Sequence, residues 1–142
     1  MRRYIERLAR CITRIDGKYY DLAKSCSAGE NEVYVLYSLA GGQQLSQKAI
    51  ADEWHIPKTT INYAVNRLKR EGFIQVTAAD GREKLLALTP QGAEYAENAL
   101  KDMLEAEKYA MKKTLEKYSP QFIDALEFFA RHIMEYDGHD GK

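Results

Sequence analysis

The stretch that decides the fold runs from residue 46 to residue 72 and reads SQKAIADEWHIPKTTINYAVNRLKREG. Ser46 is a good N-cap, because its hydroxyl can accept a hydrogen bond from a backbone N–H of the first helical turn. The residues that follow predict a short helix, and His55-Ile56-Pro57 predicts a turn. A second helix is predicted over 58–71, with Gly72 placed to end it in the left-handed conformation. Two helices joined by such a turn are typical of a helix-turn-helix unit.

Two β-type segments follow the second helix directly. Residues 73–77 and 84–89 have strand-forming composition, and the turn between them is built on Asp80-Gly81. Asp-Gly between two such segments predicts a β-hairpin. A hairpin that comes directly after the second helix is a wing. The sequence therefore predicts a winged helix-turn-helix in a chain that is otherwise mainly α-helical.

Long helices with apolar seams are predicted on both sides of this centre. In residues 3–24 the apolar side chains alternate spacings of three and four, and they are Ile5, Leu8, Ile12, Ile15, Tyr19 and Leu22. Such a seam predicts packing against another long helix, on the same chain or on a partner. Ser27-Ala28-Gly29-Glu30 has the form of a capping box and predicts the start of the next helix.

The C-terminal part is predicted to begin with the longest helix of the chain. Thr89 is a good N-cap and Pro90 fits the first helical position. The apolar pattern restarts at Ser119-Pro120, and a second seam follows it through Phe122, Leu126, Phe129, Ile133 and Tyr136. This seam also predicts packing against a long helix.

Charge is balanced over the chain but unevenly distributed along it. The 142 residues carry 21 Lys and Arg against 21 Asp and Glu, which at first argues against nucleic acid. Residues 1–24 have seven basic and three acidic side chains, and residues 44–84 have seven and five. Residues 85–142 have seven basic and eleven acidic side chains. This asymmetry is typical of a protein with one surface that faces DNA and one that faces away.

Several classes of function have no support in the sequence. It has no apolar run of about 18 residues, so no membrane span is predicted, and no secretory signal, so a cytoplasmic location is expected. It has no Ser/His/Asp set, phosphate-binding glycine loop or zinc signature, so we expect no enzyme, cofactor or metal site. Cys11 and Cys26 are predicted to be reduced thiols, and a redox-sensing cysteine is the alternative.

Taken together, these segments resemble the MarR family, the multiple-antibiotic-resistance type of regulator. The resemblance covers nearly the whole chain in element order and is most specific in three places. These are Leu45–Ala51, then Pro57–Asn62 leading to Arg67–Ile74, and then Asp80-Gly81-Arg82 followed by Leu86–Gly92. The last of these, with its Asp-x-Arg and Leu-Thr-x-x-Gly, is the strongest.

The resemblance implies an intertwined, triangular homodimer that binds a pseudo-palindromic site in double-stranded DNA. Residues 1–26 would form an N-terminal dimerisation helix, 27–90 the winged helix-turn-helix domain, and 91–142 the C-terminal dimerisation helices. Members of the family commonly repress genes, and many release DNA on binding small aromatic ligands. The family's pocket would lie near Tyr19, Tyr20, Tyr34 and Tyr37, although core packing is the favoured interpretation of these tyrosines. One branch senses peroxides through a cysteine in the first helix, where Cys11 stands here.

The second helix of the central unit carries the predicted DNA-reading residues. N-terminal residues of a recognition helix reach base edges in the major groove, and here they are Lys58, Thr59, Thr60, Asn62, Tyr63 and Asn66. The alternative is that they form a solvated helix face. Gln47, at the start of the preceding helix, is predicted to touch a phosphate. Arg67 is predicted either to contact the DNA backbone, as Lys69 and Arg70 would, or to form an intramolecular ion pair.

At the wing, Arg82 is predicted to enter the minor groove, with Asp80 orienting its guanidinium. Tyr63 and Ala64 depart from the family pattern, in which a basic or small polar residue precedes a larger apolar one. A winged helix used only for protein contact is the alternative to a DNA reader. The cations Lys58, Arg82 and Lys84 favour DNA, because a protein-only wing needs no such charges.

Overall fold

A computed structural model describes residues 1–79 and 83–138, with 78 and 79 described by their backbone alone. The chain divides into two compact units, Met1–Leu104 and Glu105–Lys142. The predicted fold class is confirmed: the chain is mainly α-helical, and a small antiparallel sheet follows a helix-turn-helix. None of the helices in this described part is both long enough and apolar enough to cross a membrane.

The first helix, α1 (Arg2–Ser25), leaves its predicted seam largely uncovered within the chain. Ile5, Ile12 and Ile15 are 50%, 39% and 53% exposed. Toward the end of the helix, Leu22 packs against the core of the first unit. A continuous apolar stripe on an exposed helix offers a surface to another helix.

The second helix, α2 (Glu30–Leu39), has Gly29 as its N-cap, so the predicted capping box of Ser27 with Glu30 is wrong. The carboxylate of Glu32 accepts the hydrogen bond from the Gly29 backbone N–H, at 3.4 Å. Ser27 with Glu30 and Gly29 with Glu32 both have the spacing of a capping box. Of Glu30 and Glu32, only Glu32 is buried, and its carboxylate also forms an ion pair with Arg67. A short 3-10 turn, Ala40–Gly42, follows the end of the helix.

The helix-turn-helix consists of α3 (Gln47–Trp54) and α4 (Lys58–Arg70). The predicted N-cap is confirmed, because the Ser46 hydroxyl accepts a hydrogen bond from the Ala49 N–H at 3.0 Å. Gly72 ends α4 with a φ of +80°, as predicted. Its N–H donates to the carbonyl of Lys69 at 3.0 Å, while the next N–H, of Phe73, donates to Leu68 at 2.9 Å. These two bonds form a Schellman motif, which fixes where the chain leaves the helix.

The wing is formed by β2 (Ile74–Ala79) and β3 (Glu83–Leu88), which pair antiparallel from Ile74 opposite Leu88 to Ala79 opposite Glu83. A third strand that the sequence analysis did not predict, β1 (Leu45–Ser46), pairs with the other edge of β3. Because β1 leads directly into α3, this pairing joins the start of the helix-turn-helix to the wing.

After the wing come α5 (Pro90–Ala99), α6 (Lys101–Leu115) and, in the second unit, α7 (Gln121–Glu135). The predicted start is confirmed, since the Thr89 hydroxyl accepts a hydrogen bond from the Gly92 N–H at 2.9 Å. The prediction that this is the longest helix is wrong. It divides at the fully buried Leu100, whose ψ of 1° departs from helical geometry, and α1 is longer, with 24 residues.

The core of the first unit lies where α2, α3, α4 and α5 present their apolar faces. Leu36, Leu39, Ile61, Leu68 and Leu100 are completely buried. Burial of each large aliphatic side chain contributes about 1.5–3 kcal/mol relative to exposure. Helix α4 is therefore held against the core by one of its faces.

Candidate nucleic-acid interface

Helix α4 is sharply divided into a buried and an exposed face. The apolar stripe of Ile61, Ala64, Val65 and Leu68 is at most 1% exposed. The opposite side is polar and exposed, and it carries Lys58, Thr59, Asn62, Tyr63, Asn66, Lys69 and Arg70. Of the residues predicted to read DNA on this helix, Thr60 alone is half-buried.

The exposed face of α4 carries cations that are available to an external partner. Lys58, Lys69 and Arg70 form no ion pair with any residue that the structure describes. Lys48 on α3 differs, because its ammonium lies 2.7 Å from the Asp52 carboxylate. That contact raises the pKa of Lys48 and lowers the pKa of Asp52. The charge of α4 is thus more open to phosphates than that of α3.

The start of α3 is connected to α4 by a side-chain hydrogen bond. The amide of Gln47 donates from Nε2 to Oδ1 of Asn62 at 2.9 Å. Asn62 keeps its own NH₂ group and a second lone pair on Oδ1, which are the donor and acceptor that adenine requires. Gln47 is therefore placed to orient the side chain that is predicted to read a base.

Arg67 lies over the buried end of α2. Its Nε is 3.1 Å from the Glu32 carboxylate and 3.7 Å from that of Glu71. The Glu32 side chain is 7% exposed and that of Arg67 is 52% exposed. This is the intramolecular ion pair that was one of the two alternatives for Arg67. Sequence periodicity does not identify Glu32 as the partner of Arg67, because the two residues are 35 positions apart in the chain.

The predicted wing residues are only partly within the described structure. Lys84 is exposed on β3, where it pairs with Ala78 of β2. Asp80 and Arg82 lie outside the described residues. The two described strands pair from Ile74 and Leu88, next to α4 and α5 along the chain, to Ala79 and Glu83 at the other end.

The four tyrosines that the resemblance places near a ligand pocket line one cavity of about 730 Å³ in the first unit. Sequence reasoning missed the other lining residues, which include Asp16, Glu30 and Trp54. A signal existed for the first, because Asp16 and Tyr20 stand four residues apart and so share one face of α1. None existed for Trp54, which joins the cavity from the end of α3.

The two cysteines differ in their surroundings. Cys26 is half-buried, and its thiol donates a hydrogen bond to the Leu22 carbonyl at 3.2 Å. Burial raises the pKa of the Cys26 thiol, and the charge of Asp102 raises it further. A raised pKa disfavours the reactive thiolate. Cys11, the cysteine of the redox alternative, is exposed on α1.

Comparisons with known proteins agree with this geometry. The sequence model of the MarR family matches residues 29–83. A MarR family regulator from Neisseria meningitidis has a similar structure, with a TM-score of 0.70 and 23% identity over 91% of this chain and 92% of that chain. A MarR family transcriptional regulator from Silicibacter pomeroyi gives 0.67 at 14% identity, covering 89% and 91%. The transcriptional regulator BldR from Sulfolobus solfataricus gives 0.61 at 16% identity, covering 89% and 94%. No curated protein matches the sequence.

Proposed function

We propose that the chain is a sequence-specific, DNA-binding transcriptional regulator of the MarR family, whose sequence model matches residues 29–83 and whose fold the chain shares. The observation that carries the proposal is the division of α4. Its apolar side is fixed in the core, while its other side exposes amides together with Lys58, Lys69 and Arg70, which have no ion pair among the described residues. A groove of duplex DNA needs both, since cations neutralise phosphates and amides read base edges.

We propose further that the regulator acts in the cytoplasm as a homodimer on a pseudo-palindromic operator. The seam of α1 supports this, because Ile5, Ile12 and Ile15 are at least 39% exposed in the single chain. Within the second unit, α7 likewise exposes Leu126 and Ile133 of its predicted seam, at 40% and 60%. Dimerisation through residues 1–26 and 91–142 would cover these surfaces, and repression with release by a small aromatic ligand is the proposed mode of control.

The central test is DNA binding across a series of salt concentrations, with duplexes from the region upstream of the chain's own gene. We expect log affinity to fall linearly with log salt, with a slope of about 0.9 for each phosphate neutralised. Lys58, Lys69, Arg70 and Lys84 are the cations proposed to contribute. Absence of binding to every duplex, or binding that salt does not weaken, would favour the protein-contact alternative.

Asn62→Ala is expected to reduce discrimination between the operator and mutated operators by about 2 kcal/mol, with little change in the salt slope. The reason is that Asn62 offers an adenine both a donor and an acceptor and carries no charge. Fluorescence anisotropy with specific and scrambled duplexes measures both quantities. Lys69→Gln is the matched control, and it should weaken binding to all duplexes alike and lower the slope. A uniform loss for Asn62→Ala would assign it to positioning.

Arg82→Ala is expected to weaken DNA binding broadly, by about 1–2 kcal/mol, while the dimer survives. The proposal rests on the sequence of the wing turn, in which Arg82 follows Asp80-Gly81. Anisotropy gives the affinity and light scattering during gel filtration gives the mass. DNA affinity equal to that of the unmodified chain would remove the wing from the proposed interface.

A further inference from the structure

The cavity between α1, α2 and the end of α3 has the size of a small-molecule site. Its volume of about 730 Å³ lies within the range of pockets that take drug-sized ligands. The lining includes tyrosines from α1 and α2, the indole of Trp54 and the side chain of Met103. These side chains can bury apolar ligand surface, so the cavity can bind a large organic molecule. The charged groups around it then decide the class of that ligand.

The charge in the cavity is negative. Two carboxylates, those of Asp16 and Glu30, line it, and no Lys, Arg or His is among its described lining residues. A ligand with a carboxylate or phenolate would therefore be held near like charges without a cation of the lining to compensate it. A cationic ligand would instead lie beside two carboxylates, and opposite charges a few ångströms apart attract each other even where water partly screens them.

One cation of the chain, Lys24, contacts a tyrosine that lines the cavity. The ammonium of Lys24 lies 4.7 Å from the centre of the Tyr20 ring. The hydrogen bond and attraction of Tyr20 raise the pKa of Lys24, and Glu30 and Asp21 raise it further. Even with Lys24 counted beside the two carboxylates of the lining, the net charge is negative. A cation of the chain thus already lies over one of the aromatic rings that line the cavity.

The aromatic side chains add a specific attraction for cations. Trp54 meets Tyr34 at 5.4 Å with a 53° angle between the rings, and it meets Tyr37 at 5.7 Å with an 80° angle. Its Nε1–H donates to the Ser38 hydroxyl at 2.7 Å, which holds the indole in place. Rings set at such angles form the corner of an aromatic cage, and cages of this kind bind quaternary ammonium groups through cation–π attraction.

We propose that this cavity binds a hydrophobic organic cation, such as an aromatic or alkylated onium compound, and that this cation is the ligand that regulates DNA binding. The second half rests on the proposed function. The structure supplies a connection, because Trp54 ends the same helix whose first residue, Gln47, holds Asn62 on α4. A ligand packed against Trp54 therefore acts on the helix that positions the proposed reading residue.

The test compares two ions of nearly the same shape and opposite charge, tetraphenylphosphonium and tetraphenylborate, with the full chain and no DNA. Trp54 is the only tryptophan of the chain, so its fluorescence reports binding at this site. We expect saturable quenching by the phosphonium with an affinity at least about tenfold higher than that of the borate. Equal or tighter binding of the borate, or no saturable binding of either ion, would overturn the proposal.

A double variant, Asp16→Asn with Glu30→Gln, is expected to remove most of this preference for the cation. The matched control is Asp124→Asn with Glu127→Gln, which removes the same charge from α7 in the other unit and should leave the preference intact. A preference that persists in the first variant, or that is lost equally in both, contradicts the assignment of the two carboxylates.

The regulatory half has its own readout, which separates it from the proposed function. Added to a complex of the chain with duplex DNA, the phosphonium is expected to lower DNA affinity at least about fivefold, and the borate is not. A cation that binds the cavity but leaves DNA affinity unchanged overturns the regulatory role. If the chain binds no duplex at all, the proposed function fails, whereas the charge preference measured without DNA still stands or falls by its own result.

Discussion

Gly92→Ala is expected to lower the free energy of unfolding by at least about 3 kcal/mol. A Cβ added at this position would lie 1.9 Å from the carbonyl oxygen of Phe73, and 2.7 Å from its carbonyl carbon. Both contacts are with backbone atoms, which cannot rotate away as a side chain does. The first turn of α5 would have to move away from the base of the wing.

The surrounding hydrogen bonds resist that movement. The Phe73 carbonyl accepts a hydrogen bond from the Thr89 N–H at 3.0 Å, and the Thr89 hydroxyl donates to the Gly72 carbonyl at 2.7 Å. The Phe73 ring also stacks on Tyr95 of α5 at 4.1 Å. Displacing α5 would break these contacts together, so the cost is expected to exceed that of an ordinary overpacked site.

Urea unfolding at one fixed protein concentration measures the effect, since the stability of a dimer depends on concentration. Gly17→Ala is the matched control, because a Cβ there meets nothing within 4 Å. In the exposed helix α1 that change should stabilise the protein by about 0.5–1 kcal/mol. A loss below about 1 kcal/mol for Gly92→Ala would show that α5 approaches the wing less closely than the structure indicates.

The elements that the sequence predicted correctly are those specified by neighbouring residues. Ser46 and Thr89 cap helices through hydrogen bonds to N–H groups three residues ahead, and Gly72 adopts its left-handed conformation one residue beyond the C-cap of α4. The hairpin likewise follows from the strand-type residues around Asp80-Gly81. Each of these signals lies within a few positions along the chain, which is the range that a sequence pattern covers.

The features that the sequence did not predict depend on pairs far apart in the chain. Strand β1 has two residues, and it exists because Leu45 lies opposite Leu86 of β3. The N-cap of α2 is Gly29 and not the predicted Ser27, because Glu32 is the carboxylate that is buried against α4. Two candidate capping boxes with equal local spacing cannot be distinguished without knowing that distant contact.

The candidate site divides in the same way. The polar face of α4 could be predicted, since a helix with a buried stripe must expose the remaining positions. The roles of Gln47 and Arg67 depended on the packing of α3 and α2 against α4, which brings their side chains to Asn62 and Glu32. The acidic character of the cavity was also hidden, because Asp16 and Glu30 come from two different helices.

Arg67→Met is expected to lower the free energy of unfolding by about 3 kcal/mol, because it leaves the buried carboxylate of Glu32 without its cation. Removal of one partner of a buried pair costs more than the pair contributes, since the remaining charge stays desolvated. We take the low end of the usual range because Arg67 is 52% exposed and water can partly replace it. Methionine keeps much of the aliphatic volume, so the loss reports the charge.

Two further variants isolate this effect. Arg70→Met on the same helix removes a cation with no ion pair among the described residues, and it should change stability by less than about 0.5 kcal/mol while lowering the salt slope of DNA binding. Adding Glu32→Gln to Arg67→Met should restore at least half of the loss, because glutamine still accepts the Gly29 hydrogen bond without a charge. If Arg67→Met instead behaves like Arg70→Met, with unchanged stability and a lower salt slope, Arg67 contacts phosphate and the ion pair is not its role. The expected combination, a large loss of stability with an unchanged slope, makes Arg67 the residue that joins the recognition helix to α2.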